Sequence, residues 1–255
     1  MKIYVPSYSS HAGHWIYKGY QKAWESLGYD VASELVNHSS GGVYQHSPMP
    51  TKEEEFQEEY IIMTTCDCIA GSLQTFTKAA NSSHKTFVFV QPNTYPYPWG
   101  THPNFVSSVS PEVIETLNAM DNVHLWAFAD VNASHYEKWK EVSTIPLAFD
   151  SIGYQQIPDD KYRKFDISFV GGWANNGFDE KRKIMIDIFS EFMNSGLNCG
   201  FFVGKNLTHE QECKVLHNSK VTLNIHDAYQ RTLGLDTNER TFKSLGLNGC
   251  LVSDT

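Results

Sequence analysis

The sequence predicts an α/β protein built from two domains, each with a parallel sheet. Three observations lead to this fold class. Short apolar runs of strand length alternate with segments of helical periodicity. The alternation runs twice, with a polar stretch at 151–164 between the two rounds. The chain has 255 residues, 41% of them hydrophobic, which suffices for two small domains. We therefore place one domain at 1–150 and the other at 151–255.

In the first round, apolar runs mark five strands, and prolines and polar stretches separate them. The predicted strands are Lys2–Pro6, Tyr29–Val36, Tyr60–Thr64, Thr86–Gln91 and Val123–Phe128. The segment Thr144–Phe149 is predicted to run extended. Helical periodicity predicts a first helix with Ile16, Tyr20, Ala23, Trp24 and Leu27 on its inner face. Further helices are expected at Ser72–Ala80 and Pro111–Met120. Strands that alternate with helices in this way favour a parallel sheet with crossover helices.

The second round repeats the pattern with four strands. The predicted strands are Phe165–Val170, Cys199–Val203, Lys220–Ile225 and Cys250–Ser253. A helix at Asp179–Asn194 ends before Gly196, and Thr208 and Gln211 form a capping box for the next helix. The last helix is predicted at Thr237–Leu245. Two consecutive α/β rounds predict two Rossmann-like domains that face a cleft.

Composition excludes some classes of function. The net charge of −9 disfavours nucleic acid as a partner, because non-specific binding to nucleic acid needs a basic face. No apolar run approaches the roughly 20 residues that span a bilayer, and the N-terminus lacks the apolar core of a signal peptide. The five cysteines are scattered and read as reduced thiols. We therefore expect a cytoplasmic protein without a membrane span.

Small and polar residues follow the strands of the second round. Gly171 and Gly172 come after the first of them, Lys205 after the second and His226 after the third. Each has an ordinary explanation: a tight turn, a solvated lysine, or a side chain that satisfies loop backbone. Because all of them lie at the same predicted sheet edge, where open α/β sheets bind ligands, we interpret them together as a binding site. There is no G-x-G-x-x-G, so the dinucleotide fingerprint is absent.

The start of the last predicted helix adds two residues to this edge. A helix N-terminus attracts anions, and a guanidinium can bind a phosphate through two hydrogen bonds. Asn238 and Arg240 lie there and suit a phosphate. The alternative is a plain helix cap, in which Asp236 and Glu239 serve the cap and Arg240 pairs with one of them.

Three segments in this order resemble a known family. They are DISFVGG (Asp166–Gly172), SKVTLNIH (Ser219–His226) and NERTFKSLGLNGCLVSD (Asn238–Asp254). They are similar to the carboxyl-terminal domain of GT-B glycosyltransferases, in particular the CgeB-like family. The resemblance covers roughly a third of the chain. It implies that the second domain binds a nucleotide-sugar donor, with its pyrophosphate near Gly172, Lys205 and the Asn238–Arg240 segment.

The resemblance also implies other features. The first domain would hold a carbohydrate or glycosylated acceptor, and the loop after its first strand would border the reaction centre. His11 in that loop is then the candidate acid/base or orienting residue, since imidazole titrates near working pH. An ordinary loop histidine is the alternative. No cofactor and no metal are expected, because basic side chains and a helix dipole can neutralise a leaving diphosphate.

The sequence departs from the family in two places. The family has a glutamate that holds the donor ribose where this chain has Lys243, and lysine cannot accept hydrogen bonds from hydroxyls. Lys243 therefore puts the choice of donor, or activity itself, in question. The family also continues with further strands beyond the position of Thr255, so the second domain is expected to be short at its C-terminus.

Three functions follow as expectations. The first is metal-independent transfer of a sugar from a nucleoside-diphosphate sugar to an unknown acceptor. The second is a non-catalytic GT-B-like module that binds a nucleotide or a glycan, as Lys243 and the short C-terminus suggest. The third is another α/β enzyme of the same fold, such as a sugar epimerase.

Overall fold

The computed structural model divides the chain into two compact units, Met1–Pro146 and Leu147–Thr255. It describes residues 1–5, 11–33, 49–70, 72–90, 97, 101, 109–130, 134–163, 165–172, 180–227, 230–231, 234, 237–247 and 249–254, with only the backbone of 11–15 and 67. Each unit has its own parallel sheet and helices, which confirms the α/β class. The division falls between 146 and 147, whereas the sequence analysis placed it between 150 and 151.

Unit 1 (Met1–Pro146) contains a six-stranded sheet in the order β2-β1-β3-β4-β5-β6, with every pair parallel. The strands are β1 (Lys2–Tyr4), β2 (Asp30–Ala32), β3 (Tyr60–Thr65), β4 (Lys85–Phe89), β5 (Val123–Ala127) and β6 (Val142–Thr144). The helices are α1 (His11–Ser26), α2 (Cys66–Ala70), α3 (Leu73–Ser82) and α4 (Pro111–Ala119). The sheet is a parallel one with crossover helices, as predicted.

The core of unit 1 follows from its sequence. All six residues of β3 are buried, as expected of a parallel strand covered on both faces. Tyr60 at its start donates its hydroxyl to the carbonyl of Ala79 on α3 at 2.6 Å. One expectation for α1 was wrong: Leu27 is 69% exposed, because the helix ends at Ser26 before Gly28, whose φ is +85°. The sixth strand, β6, ends at Thr144, so only the first residue of the run predicted to be extended at Thr144–Phe149 lies in the sheet.

Unit 2 (Leu147–Thr255) contains a four-stranded parallel sheet in the order β10-β9-β7-β8. The strands are β7 (Ile167–Gly171), β8 (Cys199–Val203), β9 (Val221–Asn224) and β10 (Leu251–Ser253). The helices are α5 (Glu180–Asn194), α6 (His209–Asn218) and α7 (Glu239–Leu247). The capping box of Thr208 and Gln211 at the start of α6 is confirmed, with both of its hydrogen bonds present.

Two apolar clusters in unit 2 reflect the alternation of side chains along β7. Phe169 packs in one cluster with Met185 of α5. Val170, the next residue, packs in the other with Leu216 of α6 and Leu247 of α7. Both faces of the sheet are therefore covered, as in a doubly wound sheet.

The strand order creates a switch point in unit 2. From β7 the chain crosses to β8 on one side and then returns to β9 on the other. Connections that leave in opposite directions open a crevice between the carboxyl ends of the two central strands, which is where such sheets bind ligands. In unit 2 the crevice is bounded by Gly171 at the end of β7 and Asn224 at the end of β9.

None of the described helices, in either unit, is long and apolar enough to cross a membrane.

Candidate anion-binding site at the switch point of unit 2

Arg240, in the first turn of α7, lies at the switch point. Its Nε donates to the carbonyl oxygen of Val170 on β7 at 2.8 Å, and its Nη1 donates to Oδ1 of Asn224 on β9 at 3.0 Å. The guanidinium also lies over the ring of Phe169, with Cζ 4.7 Å from the ring centroid. Nη2 has no hydrogen-bond partner among the described residues. Two strands therefore hold the guanidinium through Nε and Nη1. The N–H groups of Nη2 donate to none of the described residues.

Gly171 makes this position of Arg240 possible. A Cβ at residue 171 would overlap Nη2 of Arg240 and lie 3.1 Å from its Cζ. Only glycine lets the guanidinium lie against the backbone at the end of β7. Gly172 differs, because a Cβ there would meet no atom of the described residues within 4 Å. The packing of the described residues thus requires glycine at position 171 and not at position 172.

A polar network next to Arg240 joins β9, β10 and α7. His226 donates its backbone N–H and its Nδ1–H to Oδ1 of Asp254, at 2.8 and 2.9 Å. Because a carboxylate only accepts, Nδ1 carries a proton, and Nε2 lies 2.8 Å from the hydroxyl oxygen of Thr237. The amide nitrogen of Asn224 donates to Oγ1 of Thr241 at 2.9 Å. The network fixes the start of α7 to the ends of both strands.

Asp254 is the anionic centre of this network. Burial raises its pKa, but the hydrogen bonds from His226 and the charges of His226 and Arg231 outweigh burial, so the pKa is below its ordinary value. Arg231 supplies its charge through Nη1, which lies 3.2 Å from Oδ2 of Asp254. The carboxylate therefore stays ionised and holds His226 in one tautomer.

A second buried cation comes from α5. Lys181 is 5% exposed, and its Nζ lies 2.9 Å from Oδ1 of Asp227, which follows β9. Burial lowers the pKa of Lys181, Asp227 opposes this effect, and the positive charge of Arg240 lowers the pKa further. Burial lowers the pKa of Arg240, and four carboxylates oppose it: Glu239 and Glu212 act most strongly, and Asp227 and Asp254 follow.

Lys243 lies one turn into α7 and is 8% exposed. Its Nζ donates to Oε1 of Glu212 on α6 at 2.7 Å and to Oε1 of Glu239 at 3.0 Å. Burial lowers the pKa of Lys243, but the two carboxylates outweigh burial and raise it. The ammonium is thus bound by two carboxylates of the protein and fastens α6 to the start of α7.

The other candidate residues are placed as follows. His11 is the first residue of α1, so the loop expected there is already helical, and its side chain lies outside the described residues. Gly172 and Lys205 are exposed after β7 and β8. Asn238 caps α7, because its Oδ1 accepts from the backbone N–H of Thr241 at 3.4 Å. The expectation that Asp236 caps this helix lies outside the described residues, and α7 begins at Glu239 rather than Thr237.

Unit 2 brings Gly171, His226, Asn238 and Arg240 to one region, whereas the ammonium of Lys243 is directed to Glu212 and Glu239. The alternative that Arg240 pairs with a capping carboxylate is not observed among its hydrogen bonds to described residues, which go to Val170 and Asn224. A further residue of the network, Lys181, had no sequence signal beyond its position near the start of a helix.

The described residues contain no group of three or more histidine, cysteine or acidic side chains arranged to hold a metal ion.

No protein-family model matches the sequence, and no curated protein is significantly similar to it. The fold and the site therefore define a class: a protein of two α/β units, the second of which holds an arginine at its switch point.

Proposed function

We propose that the chain is a glycosyltransferase of the GT-B type that transfers a sugar from a nucleoside-diphosphate sugar to a carbohydrate or glycosylated acceptor. The observation that carries the proposal is Arg240, which is held at the switch point of unit 2 with Nη2 unpaired among the described residues. The order of motifs that resembles the CgeB-like family supports the same function.

In this proposal unit 2 binds the diphosphate of the donor. The Nη2 group of Arg240 would donate hydrogen bonds to the phosphate oxygens. The backbone N–H groups at the start of α7 would face the same oxygens. As the bond between the sugar and the diphosphate breaks, negative charge grows on the leaving oxygen. A fixed guanidinium and a helix dipole stabilise that charge without reorganisation, so the reaction needs no metal at this position.

Arg240 is ready for this role before a ligand binds. Its bonds to Val170 and Asn224 hold the guanidinium at 2.8 and 3.0 Å, and the ring of Phe169 supports one face. A side chain that is already ordered loses less conformational entropy on binding than a free arginine would.

The experiment is a thermal-shift panel with UDP, GDP, ADP, CMP and their sugar conjugates at millimolar concentration. A ligand at 100 times its Kd adds about 2.7 kcal/mol to the free energy of unfolding. We expect one base to raise the Tm of the wild type and not that of Arg240→Ala. Arg163→Ala is the matched control, since Arg163 is an exposed arginine of the same unit that pairs with Asp160 at the surface. No shift with any nucleotide would overturn the proposal.

Lys243 favours a second candidate, a non-catalytic module that binds a nucleotide or a glycan. The ammonium stands where the related family has a carboxylate, and it is bound to Glu212 and Glu239. Sugar transfer, or donor hydrolysis that is lost in Arg240→Ala, would exclude this candidate. A change in the stereochemistry of the donor sugar without an acceptor would instead indicate an epimerase.

A further inference from the structure

The hydrogen bonds beside Arg240 determine which nitrogen of His226 carries a proton. A guanidinium only donates, so the side-chain oxygen of Asn224 is the atom that accepts from Nη1 of Arg240 at 3.0 Å. The NH₂ group of the same amide then lies 3.2 Å from Nε2 of His226 and 2.9 Å from Oγ1 of Thr241. An amide nitrogen this close to a ring nitrogen is favourable only when the ring nitrogen accepts. Nε2 of His226 therefore carries no proton.

The neutral ring of His226 presents Nε2 as a base to a hydroxyl. Nδ1 donates to Oδ1 of Asp254 at 2.9 Å, and Oγ1 of Thr237 lies 2.8 Å from Nε2. Because Nε2 accepts, the proton of the Thr237 hydroxyl points to it. Oγ1 of Thr241, 2.7 Å from Oγ1 of Thr237, is then the donor to that oxygen. The Thr237 oxygen thus gives its proton towards a base and receives a hydrogen bond from a neighbour.

This arrangement is that of an activated nucleophile. A hydroxyl becomes nucleophilic when a base within hydrogen-bond reach can take its proton, and a third group must hold the base in the right tautomer. Thr237, His226 and Asp254 meet these three requirements. The side chains of His226 and Asp254 are 12% and 15% exposed, and Thr237 is half-buried. The base is therefore sheltered from water, while the residue with the hydroxyl keeps part of its surface accessible.

The surroundings of Thr237 favour phosphorus as the atom to be attacked. Thr237 and Asn238 precede α7, whose first backbone N–H groups have no partner within the helix and attract a phosphate. Nη2 of Arg240 donates to none of the described residues, and a single amide, that of Asn224, separates the guanidinium from Nε2 of His226. These donors favour a phosphate over an uncharged ester, and they stabilise the charge that grows during its transfer.

We propose that Thr237 is the nucleophile of a phosphohydrolase activity that cleaves the nucleoside diphosphate left by sugar transfer into a nucleoside monophosphate and phosphate. This inference rests on the proposed function, which supplies the diphosphate. Asp254 is a positioning residue, because it acts only through His226.

The reaction has two steps. Oγ1 of Thr237 attacks the terminal phosphorus, the bond from that phosphorus to the bridging oxygen breaks, and the hydroxyl proton goes to Nε2 of His226. The imidazolium gives this proton to the departing monophosphate. Water then attacks the phosphothreonine and loses a proton to Nε2. The bond between Oγ1 and phosphorus breaks, the proton returns to Oγ1, and phosphate leaves.

The experiment measures phosphate and nucleoside monophosphate released from UDP, GDP, ADP and CDP. EDTA is present to silence contaminating metal-dependent phosphatases. Acid quenching and peptide mass spectrometry detect a phosphoryl group on Thr237. Thr208→Val is the matched control for Thr237→Val, because Thr208 also precedes a helix of unit 2, where its hydroxyl accepts from the backbone N–H of Gln211. Circular dichroism and Tm show whether each variant is folded.

We expect the wild type to release phosphate and monophosphate in equal amounts from one diphosphate and to carry a phosphoryl group on Thr237. Thr237→Val loses both, Thr237→Ser carries the phosphoryl group at the same position, and Thr208→Val behaves as the wild type does. His226→Gln slows phosphate release by about 10²–10⁴-fold, the range of general acid–base catalysis. Asp254→Ala also slows it, and Asp254→Glu regains part of the rate, because a carboxylate again holds the imidazole.

Three results would overturn the inference. The wild type binds a nucleoside diphosphate, as a rise in Tm shows, but releases no phosphate; or folded Thr237→Val releases phosphate as fast as the wild type; or no phosphothreonine forms at 237 in the wild type. In each case the proposed function stands, and the network only fastens the start of α7 to the strand ends. If the wild type binds no nucleotide at all, the proposed function fails, and this inference fails with it.

Discussion

Gly171→Ala tests the central claim that Arg240 depends on a missing side chain. The new Cβ would overlap Nη2 of Arg240 and would lie 3.1 Å both from its Cζ and from Cζ of Phe169. The guanidinium cannot simply turn aside, because its bonds to Val170 and Asn224 hold it at 2.8 and 3.0 Å. The substitution therefore either compresses the packing or breaks those bonds.

Both routes lead to a similar magnitude. Overpacking of a well-packed site costs about 1–3 kcal/mol. The loss of a hydrogen bond to a charged group costs about 1.5–3 kcal/mol. Since the chain takes the less costly route, we expect Gly171→Ala to lower the free energy of unfolding by about 1–3 kcal/mol. Displacement of the guanidinium should also weaken pyrophosphate binding by about tenfold or more, which corresponds to about 1.4 kcal/mol.

Urea denaturation measures the first effect and titration with pyrophosphate measures the second. Gly172→Ala is the control for stability, because its Cβ would meet nothing within 4 Å and its effect should stay within about 0.5 kcal/mol. The reasoning would be refuted if Gly171→Ala unfolded at the same urea concentration as the wild type and bound pyrophosphate equally well.

Three further predictions concern unit 2. Lys243→Met leaves the carboxylates of Glu212 and Glu239 without their shared cation, so it should lower the free energy of unfolding by about 3–5 kcal/mol. Urea denaturation measures this loss, and an unchanged midpoint would contradict the stabilising role of the two ion pairs. Asp254 has a lowered pKa, so its contribution to stability is present above its unfolded pKa of about 4 and is lost as pH falls through the folded value. Asp254→Asn should therefore lose less stability below about pH 4 than the wild type does, and parallel acid titrations of the two proteins would argue against this. Gly246→Ala would place a Cβ 2.6 Å from Cε2 of Phe149 and should cost about 1–3 kcal/mol, a loss that Phe149→Leu in the same chain should partly relieve.

Much of the fold could be predicted because local patterns and the tertiary structure agree. The helix α5 illustrates this: a helix was predicted to end before Gly196, α5 ends at Asn194, and Gly196 has a φ of +80°. Its apolar residues Met185 and Phe189 are buried. The capping box at Thr208 was readable for the same reason, since both partners lie within one turn of helix. Boundaries were less predictable, as the exposed Leu27 shows, because periodicity does not report where a cap ends a helix.

The candidate site was only partly predictable. Arg240 was recognisable from its place at a helix start, but its partners Val170 and Asn224 lie 70 and 16 residues away in sequence. Lys181 looks like any charged residue of an amphipathic helix, yet it is 5% exposed and paired with Asp227. Lys243 was noted for its charge, whereas its pairing with Glu212 depends on the packing of α6 against α7. Contacts between distant segments carry no local signal, so only the structure reveals them.

The hydrogen bonds of Arg240 tie the site to the folding of the whole unit. The guanidinium contacts β7 and β9, and the network next to it reaches β10 through Asp254. Arg240 therefore couples β7 to β9, and the bonds between His226 and Asp254 couple β9 to the end of β10. A bound anion should therefore slow amide hydrogen exchange along β7, β9 and β10 together and by a similar factor, as one cooperative unit, and not only in the residues that touch it.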